Sequence, residues 1–358
     1  MASRTTPTTS GSSEPHAPPH YKGPEKSEHE SAKARENGTH PYIPSMERHS
    51  DSCTACCLAR IAPEQQQQPA DEDESMDERT FVQLTGLATA YLRAAESVRP
   101  DRIINDPFAE QLAGDVGAQL FSIVNKWGPS HEAAMDMLAI RTRYLDEALE
   151  NRDKRITQVV ILASGMDARA YRLESLRGCH VLEIDQSQEY LDQKKRTLQQ
   201  LAVEPMAEKL DYIVADLAND MWQTDLLARG FNPKEPTFWC LEGLLYYLER
   251  SSIVKVLETM DALSAAGSQF WADMCGRATR ESDKFGVRGL KYGEDNPKDG
   301  VLSLIRWDLS IVASFGDAGA HFGRDWEPLK LADDSDELLQ WWYVTGTKPK
   351  HVHEDMLL

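Results

Sequence analysis

Glycine and acidic residues stand at the ends of consecutive apolar segments in the middle of the chain. Residues 157–173 read TQVVILASGMDARAYRL, in which an apolar, β-branched run ends in the small-residue turn that contains Gly165. Asp185 follows 20 residues later, at the end of the next apolar run. A strand, turn, helix and second strand with this spacing place a carboxylate beside the ribose of an adenosine ligand. Because the turn is not GxGxxG, we predict an adenosine ligand without a pyrophosphate, and S-adenosylmethionine fits that description.

The third and fourth apolar segments also end in acidic residues. Asp216 and Leu217 end the segment YIVADL, where a carboxylate and a backbone N–H can read the amino edge of adenine while leucine packs on the ring. An aspartate at this place could also cap the following helix. Glu242 ends the segment FWCLE, whose apolar residues make an unpaired carboxylate costly. We therefore expect a cationic partner for Glu242, such as the amino group of a methionine moiety.

Two further side chains could act at the same crevice. Arg141 lies on the helical segment before the first strand, and its guanidinium could hold a carboxylate through two hydrogen bonds. The alternative for Arg141 and the nearby Arg143 is an exposed, solvated helix face. Tyr247 comes five residues after Glu242, where the following segment would face the crevice. Its alternative is a buried tyrosine that bonds one backbone acceptor.

These residues need an α/β framework to bring them together. Apolar strands are predicted at about 158–163, 179–184, 211–215, 236–241 and 268–274, with amphipathic helices near 187–201, 219–229 and 250–265. Strands that alternate with helices indicate a parallel sheet covered on both faces. The aromatic, β-prone residues 338–345 would suit a last strand at one edge of this sheet.

The residues before the first strand follow a helical pattern. Apolar positions recur at helical spacing from Phe81 to Ala95, after Asp106-Pro107, and again over His131–Asn151. We predict that residues 79–150 form a helical cap on a core of residues 151–358. The polar, glycine-containing stretch 277–300 reads as a loop or lid.

Composition separates residues 1–78 from the rest of the 358-residue chain. This part has nine of the 18 prolines, no tryptophan and no phenylalanine, so we expect a disordered tail. Its Cys53, Cys56 and Cys57 are expected to be free thiols, and no metal site is predicted. The net charge of −19 argues against a nucleic-acid partner. Without a signal peptide or a long apolar run, we expect no membrane segment and a cytoplasmic protein.

The ordered set of strand-end residues, with RTRYLDEAL at 141–149, resembles the leucine carboxyl methyltransferase family, a branch of the class I S-adenosylmethionine-dependent methyltransferases. The resemblance runs from Phe81 to Thr345. Its most specific parts are residues 93–114 (RAAESVRPDRIINDPFAEQLAG) and 163–173 (ASGMDARAYRL). These parts look closer to the small-molecule O-methyltransferases of the family than to the enzyme that methylates the C-terminal leucine of a protein phosphatase.

The resemblance implies a doubly wound, Rossmann-like α/β fold with a mostly parallel seven-stranded sheet, one antiparallel strand near its end, and the N-terminal helical cap. It also implies a role for each candidate residue. Arg141 would hold the methionine carboxylate, Gly165 would lie beneath the cofactor, Asp185 would bind ribose, Asp216 and Leu217 adenine, and Glu242 the amino end. Tyr247 matches a position close to the substrate and is the candidate catalytic residue.

Two departures from the family pattern bear on activity. The first glycine of the family's G-A-G or G-S-G turn is Ala163 here, which affects the expected cofactor affinity. The arginine that follows the Asp-Leu pair in phosphatase-methylating members is Ala218, which argues against that substrate. We predict methyl transfer to an oxygen of a small carboxylic acid or hydroxyl compound. The alternatives are a protein C-terminal carboxyl methyltransferase and a non-catalytic, cofactor-binding interaction protein.

Overall fold

The computed structural model describes residues 78–124, 131–219, 221–282, 289–332 and 335–350. Residues 1–77 of the predicted tail, with its three cysteines, lie outside these ranges, and residue 78 begins the first helix. Three helices precede the sheet: α1 (Glu78–Ser97), α2 (Ala109–Val124) and α3 (His131–Asn151). Gly114 interrupts α2 with a φ of 56°, a conformation that glycine adopts without a steric penalty.

Seven strands form one sheet, and their order defines the fold. They are β1 (Gln158–Leu162), β2 (His180–Asp185), β3 (Lys209–Val214), β4 (Thr237–Leu241), β5 (Gln269–Cys275), β6 (Asp308–Ser314) and β9 (Trp341–Thr347). The order is β3-β2-β1-β4-β5-β9-β6, in which β1 to β5 pair in parallel and β9 runs antiparallel to both of its neighbours. The predicted class I methyltransferase fold, with one antiparallel strand near the end, is confirmed.

Shorter elements connect the strands. The helices are α4 (Arg169–Arg172), α5 (Gln188–Gln200), α6 (Trp222–Ala228), α7 (Arg250–Ala262) and α8 (Arg277–Glu281), with 3₁₀ turns at Glu174–Leu176, Leu245–Tyr247 and Val301–Ile305. A small antiparallel hairpin, β7 (Gly319–His321) and β8 (Arg324–Trp326), follows β6. Ser187 caps α5, since its hydroxyl accepts a hydrogen bond from the backbone N–H of Tyr190 at 3.2 Å.

The central strands β1 and β4 are buried along their whole length. Successive side chains of a strand point to opposite faces of the sheet. Val159 and Ile161 therefore join the core beneath α1–α3, whereas Val160 and Leu162 join the core beneath α7. This double burial explains why β1 reads as a continuous apolar run, which is typical of a parallel sheet with helices on both faces.

The last part of the sheet differs from the sequence prediction. The aromatic strand occupies residues 341–347 and lies between β5 and β6, so it is internal and not at an edge. The edge strand is β6, which the sequence prediction missed. Most residues of β6 are exposed or half-buried, and the register shifts between Ile311 and Ala313, so β6 lacks the apolar periodicity of a buried strand.

Candidate active site

A cavity of about 460 Å³ opens at the carboxyl ends of the parallel strands, beside helices α1 and α3. All seven site residues proposed from the sequence line it: Arg141, Gly165, Asp185, Asp216, Leu217, Glu242 and Tyr247. Ligands of open α/β sheets bind at this edge because connections diverge there and leave a crevice. The structure thus collects in one place residues that span more than 100 positions of the sequence.

The turn after β1 and the end of β2 are joined by the carboxylate of Asp185. Its Oδ2 accepts a hydrogen bond from the backbone N–H of Gly165 at 2.8 Å, and its Oδ1 accepts one from the backbone N–H of Ser187 at 2.9 Å. A carboxylate oxygen can accept a second hydrogen bond. Asp185 can therefore hold the turn in place and still bind ribose hydroxyls.

The backbone of this turn leaves room for a ligand. Gly165 has a φ of 45°, and a Cβ placed on it would meet no atom within 4 Å, so the cavity is open directly at this residue. Ala163 has a φ of 54°, in the left-handed region where an alanine costs about 1–2 kcal/mol. Its methyl group stands where the family pattern has glycine, and Ala163 also lines the cavity.

Asp216 shapes the turn that follows β3. Its Oδ1 accepts a hydrogen bond from the backbone N–H of Ala218 at 2.9 Å, and its Oδ2 accepts one from the Asn219 side chain at 2.9 Å. Helix α6 begins only at Trp222, later than the predicted 219. Asp216 therefore stabilises the turn and not the first turn of the helix. Leu217 is buried against the core and reaches the cavity wall.

Glu242 has two cationic partners, and both belong to the protein itself. Arg141 donates from Nε to its Oε1 at 3.0 Å, and Arg169 donates from Nη1 to its Oε2 at 2.7 Å. The predicted cationic compensation of Glu242 is therefore present within the protein, and its predicted contact with the amino group of the cofactor stays a prediction. Burial raises the pKa of the Glu242 carboxyl, but the two guanidinium groups outweigh it and leave the pKa below its usual value.

Arg141 is held in a similarly charged setting. Besides Glu242, its guanidinium contacts the Tyr246 hydroxyl at 3.3 Å and the Asp273 carboxylate at 3.6 Å. Burial opposes its positive charge, but Glu242, Tyr246 and Asp273 outweigh burial and raise the pKa of Arg141 above its usual value. The side chain keeps 15% exposure at the cavity, so it stays protonated where a ligand's carboxylate could reach it. The nearby Arg143 pairs instead with Glu147.

Arg169 is the main residue that the sequence analysis missed. It follows Asp167 in the segment GMDARAYRL and pairs with Asp146, Asp167 and Glu242, although its side chain is only 3% exposed. Burial raises the pKa of Asp167, but the positive charges of Arg169 and Lys194 outweigh burial and lower the pKa to about 2. An arginine three positions before Arg172 on a four-residue helix has no periodicity that marks it, so only the fold shows its role.

These contacts belong to one chain of ion pairs with an excess of negative charge. Its members are Arg93, Asp106, Asp146, Arg141, Asp167, Arg169, Arg172, Glu242 and Asp273. When all are ionised, five carboxylates face four guanidinium groups. S-adenosylmethionine carries an ammonium, a sulfonium and a carboxylate, and so one net positive charge. A ligand of that charge compensates the excess, and buried charges require such compensation.

Tyr246 and Tyr247 form one wall of the cavity after β4. The Tyr246 hydroxyl donates to Oδ2 of Asp273 at 3.2 Å, and its ring packs against Tyr247 with centroids 4.8 Å apart. The side chain of Thr85 on α1 also lines this part of the cavity. Burial raises the pKa of Tyr247 to about 12, so its phenol is protonated at neutral pH. It can donate a hydrogen bond there but cannot act as a base.

The rest of the wall is largely apolar, with Arg93, Asp167 and Lys291 as its further charged members. The residues of this apolar wall are Val82, Met137, Leu138, Leu290, Leu339 and Trp341. Trp341 packs edge-on against Tyr246 with centroids 4.7 Å apart. The apolar wall comes from α1, α3 and the segments after β5. The sequence analysis named Arg141 of α3 as a ligand-binding residue and 277–300 as a loop or lid, but it identified none of the apolar side chains of this wall.

The described residues contain neither a membrane-spanning helix nor a metal-binding cluster. No helix in the described ranges is long and apolar enough to cross a bilayer. No group of three or more histidine, cysteine, aspartate or glutamate side chains there is arranged to hold a metal ion.

The strand order and the cavity at the strand ends are those of the class I methyltransferase fold. The sequence profile of the family described as "Leucine carboxyl methyltransferase" matches residues 86–261. A Mycobacterium sp. (strain JLS) protein is 35% identical over 303 residues, which cover 78% of this chain and 99% of the relative. A Mycobacterium avium (strain 104) protein is 39% identical over 313 residues, which cover 77% and 97%.

Both relatives are named as proposed S-adenosyl-L-methionine-dependent methyltransferases. A crystal structure from Thermobifida fusca, proposed to be a methyltransferase, has a TM-score of 0.49 and 15% identity, and covers 68% of this chain and 93% of that one. On the strength of the sequence relatives, the chain belongs to the leucine carboxyl methyltransferase family, and its cofactor is S-adenosylmethionine. The family resemblance noted in the sequence is confirmed.

Proposed function

We propose that this protein is an O-methyltransferase that acts on a small carboxylic acid, with a hydroxyl compound as the second choice. The observation that carries the proposal is the composition of the cavity at the carboxyl ends of the strands. Strand-end residues suited to a nucleoside and an amino acid share it with an apolar wall that includes Met137, Leu290 and Trp341. Pockets for small organic molecules have this mixture of an apolar lining and a few placed polar groups.

The protonation of Tyr247 favours a carboxylate over a hydroxyl acceptor. A carboxylic acid is already ionised at neutral pH and needs no base. A hydroxyl group must lose its proton during the transfer, which requires a general base close to it. Tyr247, whose pKa is raised to about 12, cannot serve as that base. His131, at the start of α3, is a second residue type that could serve as a base, and its side chain lies outside the part of the structure that is described.

The turn after β3 argues for a small molecule and against a protein C-terminus. Ala218 lines the cavity at the position where phosphatase-methylating relatives carry an arginine. Its methyl group cannot hold a peptide carboxylate, whereas an arginine does so through two hydrogen bonds. The protein C-terminal carboxyl methyltransferase is therefore the less favoured alternative.

The residues around the cavity would divide the work between binding and alignment. Arg141 would hold the cofactor's carboxylate, Asp185 its ribose, and Asp216 with Leu217 its adenine. When bound, S-adenosylmethionine supplies an electrophilic methyl group on a sulfonium. The apolar wall excludes water from the acceptor oxygen, and Tyr247 orients the acceptor by a hydrogen bond. Alignment of two bound reactants can lower a barrier by about 7–11 kcal/mol, which suits a transfer that needs no covalent intermediate.

The test has two stages. Calorimetric titration with S-adenosylmethionine and S-adenosylhomocysteine should show micromolar binding to the full chain. A screen of carboxylic acids and phenols, read by the mass of the added methyl group, should then yield methyl esters in preference to methyl ethers. Cofactor binding without turnover of any acceptor would favour the non-catalytic alternative. Absence of cofactor binding would overturn the proposed function.

A further inference from the structure

Arg169 bonds to three elements that line the cavity, and it is not among the candidate site residues derived from the sequence. Its Nε donates to Oδ1 of Asp146 at 2.7 Å, and its Nη2 donates to the backbone carbonyl of Thr142 at 3.3 Å, both on α3. Its Nη1 donates to Oε2 of Glu242 at the end of β4 and also to Oδ2 of Asp167 in the turn after β1. One guanidinium therefore joins α3, the turn after β1 and the end of β4.

The contacts of Glu242 extend this connection to the cavity surface. Glu242 receives Arg169 on one carboxylate oxygen and Arg141 on the other. The direction of the Arg141 guanidinium is thus set by Glu242, whose own position is set by Arg169. Arg169 is 3% exposed, whereas Arg141 and Glu242 are each 15% exposed, so Arg169 lies behind the two residues that face a ligand.

From this geometry we infer that Arg169 is a positioning residue for the cofactor, which it orients through Glu242 and Arg141. The inference rests on the proposed function, because the group to be positioned is S-adenosylmethionine. A lysine at residue 169 would keep one positive charge, but an ammonium cannot match the planar fork that reaches Asp146, Asp167 and Glu242 together. Glu242 would then lose a fixed partner, and Arg141 would lose its fixed orientation.

Arg172 provides a matched comparison on the same short helix. It is 5% exposed and forms two hydrogen bonds with the carboxylate of Asp146, at 2.7 and 2.8 Å. Its second carboxylate partner is Asp106, at 3.9 Å. Neither Asp146 nor Asp106 lines the cavity, whereas two partners of Arg169 do. The two arginines therefore share burial and one partner but differ in their connection with the site.

The experiment measures S-adenosylhomocysteine affinity by calorimetry, and folding by thermal unfolding, for the full chain and four variants. The variants are Arg169→Lys, Glu242→Gln, the double variant of these two, and Arg172→Lys. A hydrogen bond to a charged group is worth about tenfold to a hundredfold in affinity, so we expect R169K and E242Q each to weaken binding by about that factor. R172K should change affinity by less than about threefold, although it lowers the unfolding temperature to a similar extent.

The double variant distinguishes an effect of Arg169 that acts through Glu242 from separate effects of the two residues on cofactor affinity. If Arg169 acts through Glu242, the affinity of the double variant should lie within about threefold of that of the single variant that binds less tightly. The reason is that the effects of coupled substitutions on the binding free energy are not additive. Equal losses in R169K and R172K, or losses that multiply in the double variant, would overturn the inference. If R169K does not fold, unchanged affinity in E242Q would overturn it instead. Failure of the unsubstituted chain to bind would overturn the proposed function together with this inference.

Discussion

The charged and the apolar parts of the cavity wall are built in different ways. The charged part, which includes Arg141, Asp167, Asp185, Asp216 and Glu242, comes from strand ends, the turn after β1 and α3, and hydrogen bonds hold its side chains. The apolar wall comes from α1, α3 and the segments after β5, and packing alone holds it. The cofactor carries charges in fixed places, so it needs the fixed side chains of the charged part. The apolar wall makes no such demand and can accommodate acceptors of different shape.

The difference implies that cofactor binding and acceptor binding can be damaged separately. Substitutions in the charged part should change cofactor affinity, whereas those in the apolar wall should change only the acceptor's KM.

The largest effect is expected for Asp185→Ala. The change removes the ribose-binding carboxylate and leaves the N–H groups of Gly165 and Ser187 without their acceptor. Each lost partner costs about 1–3 kcal/mol, so S-adenosylhomocysteine affinity should fall by more than about a hundredfold in calorimetry. The control is Asp192→Ala, a half-exposed carboxylate on α5 that bonds Gln188. If D185A binds S-adenosylhomocysteine within about threefold as tightly as D192A does, Asp185 is not a cofactor-binding residue.

In the apolar wall, Met137→Ala should act on the acceptor alone. The truncation removes apolar contact worth about 2 kcal/mol, so the KM of the best acceptor should rise by about tenfold or more. S-adenosylhomocysteine affinity should stay within about twofold. Met135→Ala is the control, because Met135 packs against Leu92 and Leu138 and has no place in the cavity wall. A weaker cofactor affinity in M137A would contradict the separation of the two parts.

Tyr247→Phe should lower turnover and leave the pH profile unchanged. The hydroxyl can orient the acceptor, and a lost neutral hydrogen bond is worth about 0.5–1.5 kcal/mol, so kcat should fall by about threefold to tenfold. Burial disfavours the phenolate and raises the pKa of Tyr247 to about 12, so the group stays protonated at every pH below that value. Profiles of kcat against pH from about 6 to 9 should therefore have the same shape in both proteins. If an ascending limb disappears in the variant, Tyr247 is a base.

The smallest effect is expected for Ala163→Gly, with Ala202→Gly as its control. Both alanines have a φ above 50°, but only Ala163 lines the cavity. Glycine relieves about 1–2 kcal/mol of backbone strain and loses about 0.4–1 kcal/mol through the unfolded chain. Both variants should thus gain up to about 1 kcal/mol in the free energy of unfolding. Only A163G should bind S-adenosylhomocysteine more tightly than the unsubstituted chain, by about a few-fold. If A163G and the unsubstituted chain bind it equally well, the methyl group of Ala163 does not weaken cofactor binding.

Much of the charged part could be predicted from the sequence, for a local reason. Gly165, Asp185, Asp216 and Glu242 each end an apolar run, and parallel strands place such residues at one edge of the sheet. Whether their predicted roles hold depends on the experiments above. The partners of Glu242 could not be predicted from the sequence, because Arg141 lies 101 residues away from it along the chain and Arg169 lies 73 residues away.

The sequence by itself determined the parallel β/α framework and the strand-end residues, because both follow from short-range periodicity and from where each apolar run stops. Only the tertiary structure decided that β9 lies between β5 and β6, since an aromatic, β-prone segment carries no information about its neighbours. Only the tertiary structure joined Arg169 to Glu242 and placed Trp341 beside Tyr246. Such contacts depend on the distances between whole elements after packing, which no local pattern encodes.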